Sequence, residues 1–234
     1  MSLKTALRYA PLICLILLVL SACNRQPSTR ILFIGNSFTF FNGGLDNHLK
    51  GLATSSETES IAIGGYSLEK HFAEGNAINK IRDGKWNYVV LQEQSQIPVV
   101  DRNKFYEAVR HFDEEIRRSG AKTVLLMTWE RPDSLVYGVT TKGLADAYST
   151  IGTEIGAIIA PAGLAFANSL NKKPDLGLYS QDGHPTYSGT YLAACTLYKA
   201  IFGISPVGNR YKGGVTFTDW RTYLQQIAAD TNGY

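Results

Sequence analysis

The chain has 234 residues, of which 44% are hydrophobic and 18% charged, and its formal net charge is +3. This composition fits one folded domain with a substantial core and excludes a disordered chain. The basic residues form no cluster interleaved with aromatic side chains, so we expect no nucleic-acid partner.

The first residues predict export from the cell. Two basic residues precede an apolar run over residues 12–20, which is shorter than the roughly 20 residues that a membrane-spanning helix needs. Residues 20–23, Leu-Ser-Ala-Cys, resemble the cleavage box of bacterial lipoproteins, in which the cysteine thiol is lipidated. We therefore expect a lipoprotein signal peptide over residues 1–22 and acyl chains on Cys23 that anchor the protein in the bacterial cell envelope, facing the periplasm or the exterior. The alternative is an ordinary secreted protein that is cleaved nearby.

The remainder of the chain predicts a short tether and one domain. Residues 23–29 are polar and contain a proline, so they are expected to form the tether, and residues 30–234 the folded domain. Removal of residues 1–22 lowers the formal charge to +1, which weakens any argument for an anionic partner. Two of the three cysteines precede residue 24, so Cys195 has no partner for a disulfide and is predicted to pack in the core.

The domain alternates between two kinds of pattern. Five short apolar runs predict strands, at residues 31–34, 60–63, 88–91, 123–127 and 155–161. Helical patterns lie at residues 45–53, in a segment that ends at Gly120, and over residues 186–202. A final amphipathic helix is expected to begin at Thr218 or Asp219. This alternation predicts a parallel sheet in a single α/β domain.

Two segments far apart in the chain together indicate a serine hydrolase. Gly35-Asn36-Ser37 ends the first predicted strand and places a hydroxyl at the carboxyl edge of the sheet, where α/β enzymes bind ligands. Asp182-Gly183-His184-Pro185 supplies an imidazole and a carboxylate, which a serine nucleophile needs for activation. Either segment alone is weak evidence, since a serine after a strand is more often a helix cap.

With two further segments the chain resembles the SGNH hydrolases, also called GDSL esterases. These segments are Gly64-Gly65-Tyr66 after the second strand and Gln92-Glu93-Gln94 after the third. The resemblance implies a three-layer α/β/α sandwich with a mainly parallel, flavodoxin-like five-stranded sheet. It also implies site roles: Ser37 is the nucleophile, His184 the base and Asp182 its partner, while the N–H groups of Ser37 and Gly65 and the amide of Gln94 bind the oxyanion.

The oxyanion segment departs from the family pattern. Asn36 stands where the family usually has an aspartate that takes no part in proton transfer, so the change does not affect the assignment of Ser37. Gln94 aligns with the family's asparagine but is one methylene longer, and Gln92 is an alternative donor.

The acid partner of the histidine is also open at this stage. The family spacing is Asp-x-x-His, whereas this chain has Asp182 two residues before His184 and Gln181 at the usual position. Residues two apart in an extended segment point to the same side, so Asp182 can still reach the imidazole. Glu93 and Glu130, which follow predicted strands, are alternative acids, and a dyad without an acid is a further alternative.

Further polar and aromatic residues lie near the predicted strand ends, where the pocket is expected. Asn36, Gln92, Glu93 and Trp129 are candidates, although a lone tryptophan at a strand end is about as often core packing. His48 and His111 lie among charged neighbours in predicted helices and are expected at the surface, whereas His71 is expected to be a structural histidine near the pocket. No His, Cys, Asp or Glu cluster has metal-ligand spacing, so we expect no metal and no cofactor.

The function expected from these features is that of a lipid-anchored serine esterase. The resemblance implies hydrolysis of acyl esters through an acyl-enzyme, and the anchoring favours acetyl esters on carbohydrate or a small molecule. The alternatives are a lipid or lysophospholipid esterase, and a surface lipoprotein that binds glycans on the same fold without catalysis. The oligomeric state is left open.

Overall fold

The structure is a computed structural model that describes residues 28–233. The expected signal peptide over residues 1–22 and the expected lipidation site at Cys23 lie outside these residues. Within them, no helix is long and apolar enough to cross a membrane.

The sheet has five strands, all parallel, in the order β2-β1-β3-β4-β5. They are β1 (Thr29–Gly35), β2 (Ser56–Ala62), β3 (Tyr88–Leu91), β4 (Lys122–Leu126) and β5 (Ile158–Ala160). The predicted strand at residues 88–91 has the same bounds as β3. The bounds predicted for the other four strands differ from the observed bounds by one to four residues at each end. The largest difference is at the start of β2, an edge strand whose first four residues are polar and so lack an apolar signal.

Ten α-helices lie within the described residues. They are α1 (Ser37–Phe40), α2 (Leu45–Leu52), α3 (Leu68–Glu74), α4 (Asn76–Asp83), α5 (Ile97–Val100), α6 (Arg102–Arg118), α7 (Thr141–Ile155), α8 (Ala162–Lys172), α9 (Tyr187–Phe202) and α10 (Thr218–Asp230). Two 3₁₀ helices, Phe41–Gly43 and Pro132–Tyr137, lie in the loops after β1 and β4. The sequence patterns predicted α2, α6, α9 and α10.

Successive residues of the strands pack on opposite faces of the sheet. Ile31 and Phe33 of β1 contact the cluster formed by α2, α8, α9 and α10, while Leu32 and Ile34 contact the cluster formed by α3, α4, α6 and α7. This alternation is the period-two geometry of a strand that is buried on both sides. The expected three-layer α/β/α sandwich is therefore confirmed.

Two single-residue predictions in the helices have different outcomes. Cys195 is a free thiol buried in α9, as predicted. His48 was predicted at the surface, which is wrong: its side chain is buried, and its Nε2 atom lies 2.9 Å from the carbonyl oxygen of Asn42. The helix α2 places this residue on the face that packs against the core, and the charged neighbours in sequence lie on the other face.

Candidate active site

Ser37 stands at the carboxyl edge of the sheet, directly after β1. It is the first residue of α1, and Asn36 caps this helix. The side-chain oxygen of Asn36 accepts from the N–H of Phe38 at 3.2 Å, and its carbonyl accepts from Thr39 and Phe40. The first N–H groups of a helix have no acceptor inside the helix. Asn36 accepts from three of those in this turn, and the remaining one, the N–H of Ser37, has no acceptor within residues 28–233.

Asn36 also joins the loops that follow the first three strands. Its Nδ2 donates to the carbonyl oxygen of Tyr66 at 2.9 Å, and its backbone N–H donates to Oε1 of Gln92 at 2.9 Å. An aspartate here could not donate to a carbonyl, so the asparagine that replaces the family residue has a bonding role of its own. Asn36 is 4% exposed and lines the cavity around Ser37.

The structure brings Ser37, His184 and Asp182 into one hydrogen-bonded chain. His184 Nε2 lies 2.9 Å from Ser37 Oγ, and His184 Nδ1 lies 2.9 Å from Asp182 Oδ2. The other carboxylate oxygen, Oδ1, accepts from the backbone N–H of His184 at 3.1 Å and from Ser180 Oγ at 2.5 Å. The arrangement needs no acid at the position of Gln181.

A tight turn at Gly183 allows Asp182 to reach the imidazole of His184 although the two residues are only two positions apart. Gly183 adopts a φ of +81°, a left-handed conformation that favours glycine. The backbone N–H of Gly183 donates to the carbonyl oxygen of Ser180, and the N–H of Ser180 donates to that of His184, both at 2.9 Å. A Cβ atom at position 183 would lie 2.2 Å from Cδ of Arg131, so a larger residue here would also displace the arginine side chain.

Hydrogen bonds act on the carboxylate of Asp182, and aromatic packing orients the imidazole of His184. The hydroxyl of Ser180 and the ring and backbone N–H of His184 hold the pKa of Asp182 well below its usual range, so this carboxyl is ionised at neutral pH. The imidazole stacks on Phe41, with ring centroids 4.1 Å apart, and meets the edge of Phe38 at 5.7 Å. These two rings fix the plane in which the imidazole can meet Ser37.

Gly65 and Gln94 line the cavity beside Ser37, as the oxyanion assignment requires. Gly65 has a φ of +73°, and a Cβ atom there would meet nothing within 4 Å, so its backbone borders open space. The side-chain oxygen of Gln94 accepts from the N–H groups of Gln96 and Ile97, at 2.9 and 3.3 Å. Since the oxygen is fixed in this way, the amide nitrogen is the end of Gln94 that remains for a ligand.

Gln92, the alternative donor, does not line this cavity. It is 1% exposed; its Oε1 accepts from Asn36 and from the hydroxyl of Thr39, and its Nε2 donates to the carbonyl oxygen of Glu93 at 2.6 Å. Gln92 therefore supports the loop of Ser37 from below, and its prediction as a pocket residue is wrong.

Neither alternative acid contacts His184. Glu93 is fully buried, and its Oε1 accepts from the N–H groups of Leu68 at 3.1 Å and Gln94 at 2.6 Å. Burial raises its pKa to about 7. Glu130 instead accepts from Thr141 at the start of α7. Glu93 was predicted as a possible pocket residue; the structure places it behind the cavity, where it ties the loop after β2 to the loop after β3.

Trp129 is core packing and does not form a wall of the cavity. It is 1% exposed and is stacked between Phe38, at 4.6 Å, and Phe166, at 4.2 Å. Its Nε1 donates to the carbonyl oxygen of Gly183 at 3.4 Å. Its side chain therefore supports the histidine turn from behind. His71 is likewise structural, as predicted: it is buried, and its Nε2 lies 2.7 Å from the carbonyl oxygen of Gly35.

The cavity has a volume of about 360 Å³. Its lining residues are Asn36, Ser37, Phe38, Gly64, Gly65, Gln94, Ser95, Arg131 and His184. Arg131 was not predicted from the sequence, although it follows β4 at the same carboxyl edge as the other residues and its position after a strand is the signal that could have found it. No group of three metal-ligating side chains occurs within residues 28–233.

Comparison with known proteins finds structural similarity to SGNH hydrolases and esterases. No protein-family model and no curated protein matches the sequence. A candidate SGNH hydrolase from Slackia heliotrinireducens is 26% identical, with a TM-score of 0.66 over 74% of this chain and 99% of that chain. A DUF4886 family protein from Bacteroides uniformis is 20% identical, with a TM-score of 0.69 over 86% and 93%. A catalytic mutant of an acetylxylan esterase from Geobacillus stearothermophilus is 14% identical, with a TM-score of 0.55 over 78% and 95%.

The fold and the site define an ester-hydrolysing serine hydrolase on a parallel α/β/α sandwich. The chain belongs to the SGNH hydrolase superfamily.

Proposed function

We propose that Ser37, His184 and Asp182 are the catalytic triad of this serine esterase and that it removes short acyl groups, in the first place acetyl, from carbohydrate. The observation that carries the mechanism is the continuous hydrogen-bonded chain from Ser37 Oγ through His184 to Asp182, with both contacts to the imidazole at 2.9 Å. This is the geometry that activates a serine hydroxyl for attack on a carbonyl.

The reaction proceeds through an acyl-enzyme. His184 Nε2 accepts the proton of Ser37 as Oγ attacks the ester carbonyl, and the ionised Asp182 stabilises the imidazolium that forms. The imidazolium then donates its proton to the alcohol that leaves. A water molecule deprotonated by His184 attacks the acyl-enzyme and releases the acid.

In this proposal, three donors among the residues that line the cavity bind the negative charge on the attacked oxygen. These are the N–H groups of Ser37 and Gly65 and the side-chain amide of Gln94. Such donors act most strongly where they are held before the reaction, because no reorganisation is then needed. The carbonyl end of Gln94 is held by two backbone N–H groups, and this gives its amide a fixed direction.

The size of the cavity supports a short acyl group. Its volume of about 360 Å³ lies near the lower end of the range for small-molecule sites, roughly 300–1,000 Å³. The similarity to an acetylxylan esterase supports acetyl esters on glycans in particular.

The direction of β1 also favours a glycan or a diffusible ester over a membrane lipid. The chain enters β1 at Thr29, and Ser37 follows the opposite end of this seven-residue strand, about 23 Å away at roughly 3.3 Å per residue. If Cys23 carries the lipid anchor, the anchored segment joins the domain at the amino edge of the sheet, whereas Ser37 and the cavity lie at the carboxyl edge. We propose a cell-envelope protein whose site faces away from its own membrane.

Lipidation is tested separately from catalysis. In the native cell, Cys23→Ser should move the protein from the membrane fraction to the soluble fraction and abolish incorporation of a labelled fatty acid. Retention of both in the variant would exclude Cys23 as the anchor.

Fluorophosphonate labelling of the full chain in detergent tests the nucleophile, with Ser37→Ala as the control. Peptide mapping should find one label per chain, on Ser37, and acetylated xylo-oligosaccharides should then be hydrolysed faster than lysophospholipids. Absence of the label from folded protein would instead favour a glycan-binding lipoprotein that does not turn its ligand over.

A further inference from the structure

Arg131 places a permanent positive charge at the cavity of Ser37. It follows β4, and its side chain is 12% exposed. Among the residues that line the cavity, it is the one whose side chain is always charged. Its guanidinium lies 5.9 Å from the ring centroid of Phe38. Removing a cation from water costs free energy unless its donors are satisfied by hydrogen bonds.

The guanidinium has donors that the protein does not use. Nη2 donates to Asp133 Oδ2 at 2.8 Å. Nε is buried and has no acceptor within residues 28–233, and the hydrogen bond that the guanidinium makes among these residues is the one from Nη2 to Asp133. A guanidinium is a planar fork that can hold a carboxylate through two parallel hydrogen bonds. The amino group Nη1 is therefore available to donate to an anion in the cavity.

The backbone holds Arg131 in this place. Its N–H donates to Ser134 Oγ at 3.1 Å, and the same hydroxyl donates to the carbonyl oxygen of Arg131 at 2.8 Å. These bonds begin the 3₁₀ helix Pro132–Tyr137 and fix the direction in which the side chain leaves the backbone. A fixed cation loses little conformational entropy when it binds a ligand.

Contacts with the histidine turn show which side of the ester Arg131 faces. A Cβ atom at Gly183 would lie 2.2 Å from Cδ of Arg131 and 2.9 Å from its Cζ, so the guanidinium packs on the residue next to His184. In the proposed mechanism His184 protonates the leaving alcohol, whereas Gly65 and Gln94 bind the carbonyl oxygen. Arg131 is therefore on the side of the alcohol.

We propose that Arg131 binds a carboxylate on the alcohol portion of the ester, so that the enzyme prefers acyl esters of acidic alcohols such as acidic sugars. This inference rests on the proposed function. One carboxylate, that of Asp133, binds the guanidinium and opposes such binding: its Oδ2 accepts from Nη2 at 2.8 Å, and its side chain is 49% exposed. Removal of Asp133 should therefore strengthen the preference.

Acetyl esters of related phenols test the proposal in the full chain in detergent. The substrates are 2-acetoxybenzoate, 4-acetoxybenzoate, the neutral methyl ester of the latter, and 4-acetoxyphenyl phosphate. The quantity measured is kcat/KM for each anionic ester divided by kcat/KM for the neutral one. Arg131→Met should lower this ratio for the better carboxylate substrate about tenfold, through KM more than kcat, because one charged hydrogen-bond pair is lost.

Two further variants separate binding from a structural effect. Asp133→Asn should raise the ratio, and Arg131→Lys should leave it between the values for wild type and Arg131→Met, since the charge remains but the fork is lost. Lys85→Met removes one exposed positive charge before β3, at the opposite edge of the sheet, and is the matched control. Equal ratios in wild type and Arg131→Met, or an equal fall in Lys85→Met, would overturn the proposal. If Arg131→Met lowered the ratio for the phosphate ester alone, the conclusion that Arg131 binds a carboxylate would be overturned.

A binding measurement makes the test independent of turnover. Hydrolysis of the neutral ester by wild type reports on the proposed function, whatever the preference for charge. Calorimetry with 4-hydroxybenzoate and Ser37→Ala protein reports on the carboxylate contact alone. The double variant Ser37→Ala/Arg131→Met should bind 4-hydroxybenzoate about tenfold more weakly than Ser37→Ala. Equal affinity in the single and the double variant would contradict the inference.

Discussion

The buried carboxyl of Glu93 predicts a specific dependence of stability on pH. Glu93 is fully buried at the end of β3, and one of its oxygens, Oε2, has no hydrogen-bond partner within residues 28–233. Burial raises the pKa from its ordinary value of 4.5 to about 7, although the N–H groups of Gln94 and Leu68 act in the opposite direction. The folded protein therefore holds a proton on Glu93 at pH values where the unfolded chain has lost it.

The direction and size of the effect follow from this difference. Between pH 4.5 and about 7 the folded state binds one more proton than the unfolded state, so the free energy of unfolding falls as pH rises. Each unit of pKa corresponds to about 1.36 kcal/mol. The whole range from 4.5 to about 7 therefore corresponds to a loss of about 3 kcal/mol, which is complete above pH 7.

Glu93→Gln removes the titration but keeps an oxygen that can accept from both N–H groups. Its free energy of unfolding, measured in urea at pH 4.5, 5.5, 6.5 and 7.5, should rise relative to wild type by about 3 kcal/mol across this series. Glu107→Gln removes an exposed carboxyl in α6, and its free energy of unfolding relative to wild type should change by less than about 1 kcal/mol across the same pH series. A difference between Glu93→Gln and wild type that stays constant with pH would refute this account of the carboxyl.

Three substitutions in the site have expected outcomes that kinetics and unfolding can check. Asp182→Asn should lower kcat by roughly 10²–10⁴ with little change in KM, because the imidazolium loses its ionised partner; unchanged kcat would support a dyad without an acid. Gln94→Ala should lower kcat by about 10²–10³, and an unchanged kcat would remove Gln94 from the oxyanion site. Gly183→Ala should reduce both kcat and stability, the latter by about 1–3 kcal/mol, since φ is +81° and the methyl group would meet Arg131; normal stability would mean that the turn adapts.

The α/β alternation and the identity of the reacting groups can be predicted from the amino-acid sequence alone. Alternation of apolar runs with helical patterns is a local property, so it located all five strands and four of the helices. Ser37 and His184 could be identified for a related reason: a strand end positions a side chain through its own backbone, and few residue types can act as nucleophile and base.

Which of the neighbouring polar groups share the cavity depends on tertiary contacts. Gln92 and Gln94 have the same side chain two residues apart, yet the first bonds the loop below Ser37 and the second lines the cavity. Asp182 reaches His184 because of the left-handed conformation of Gly183, against which Arg131 packs from the loop after β4. The direction of each of these side chains depends on contacts with residues distant in the chain, and a local sequence pattern carries no information about such contacts.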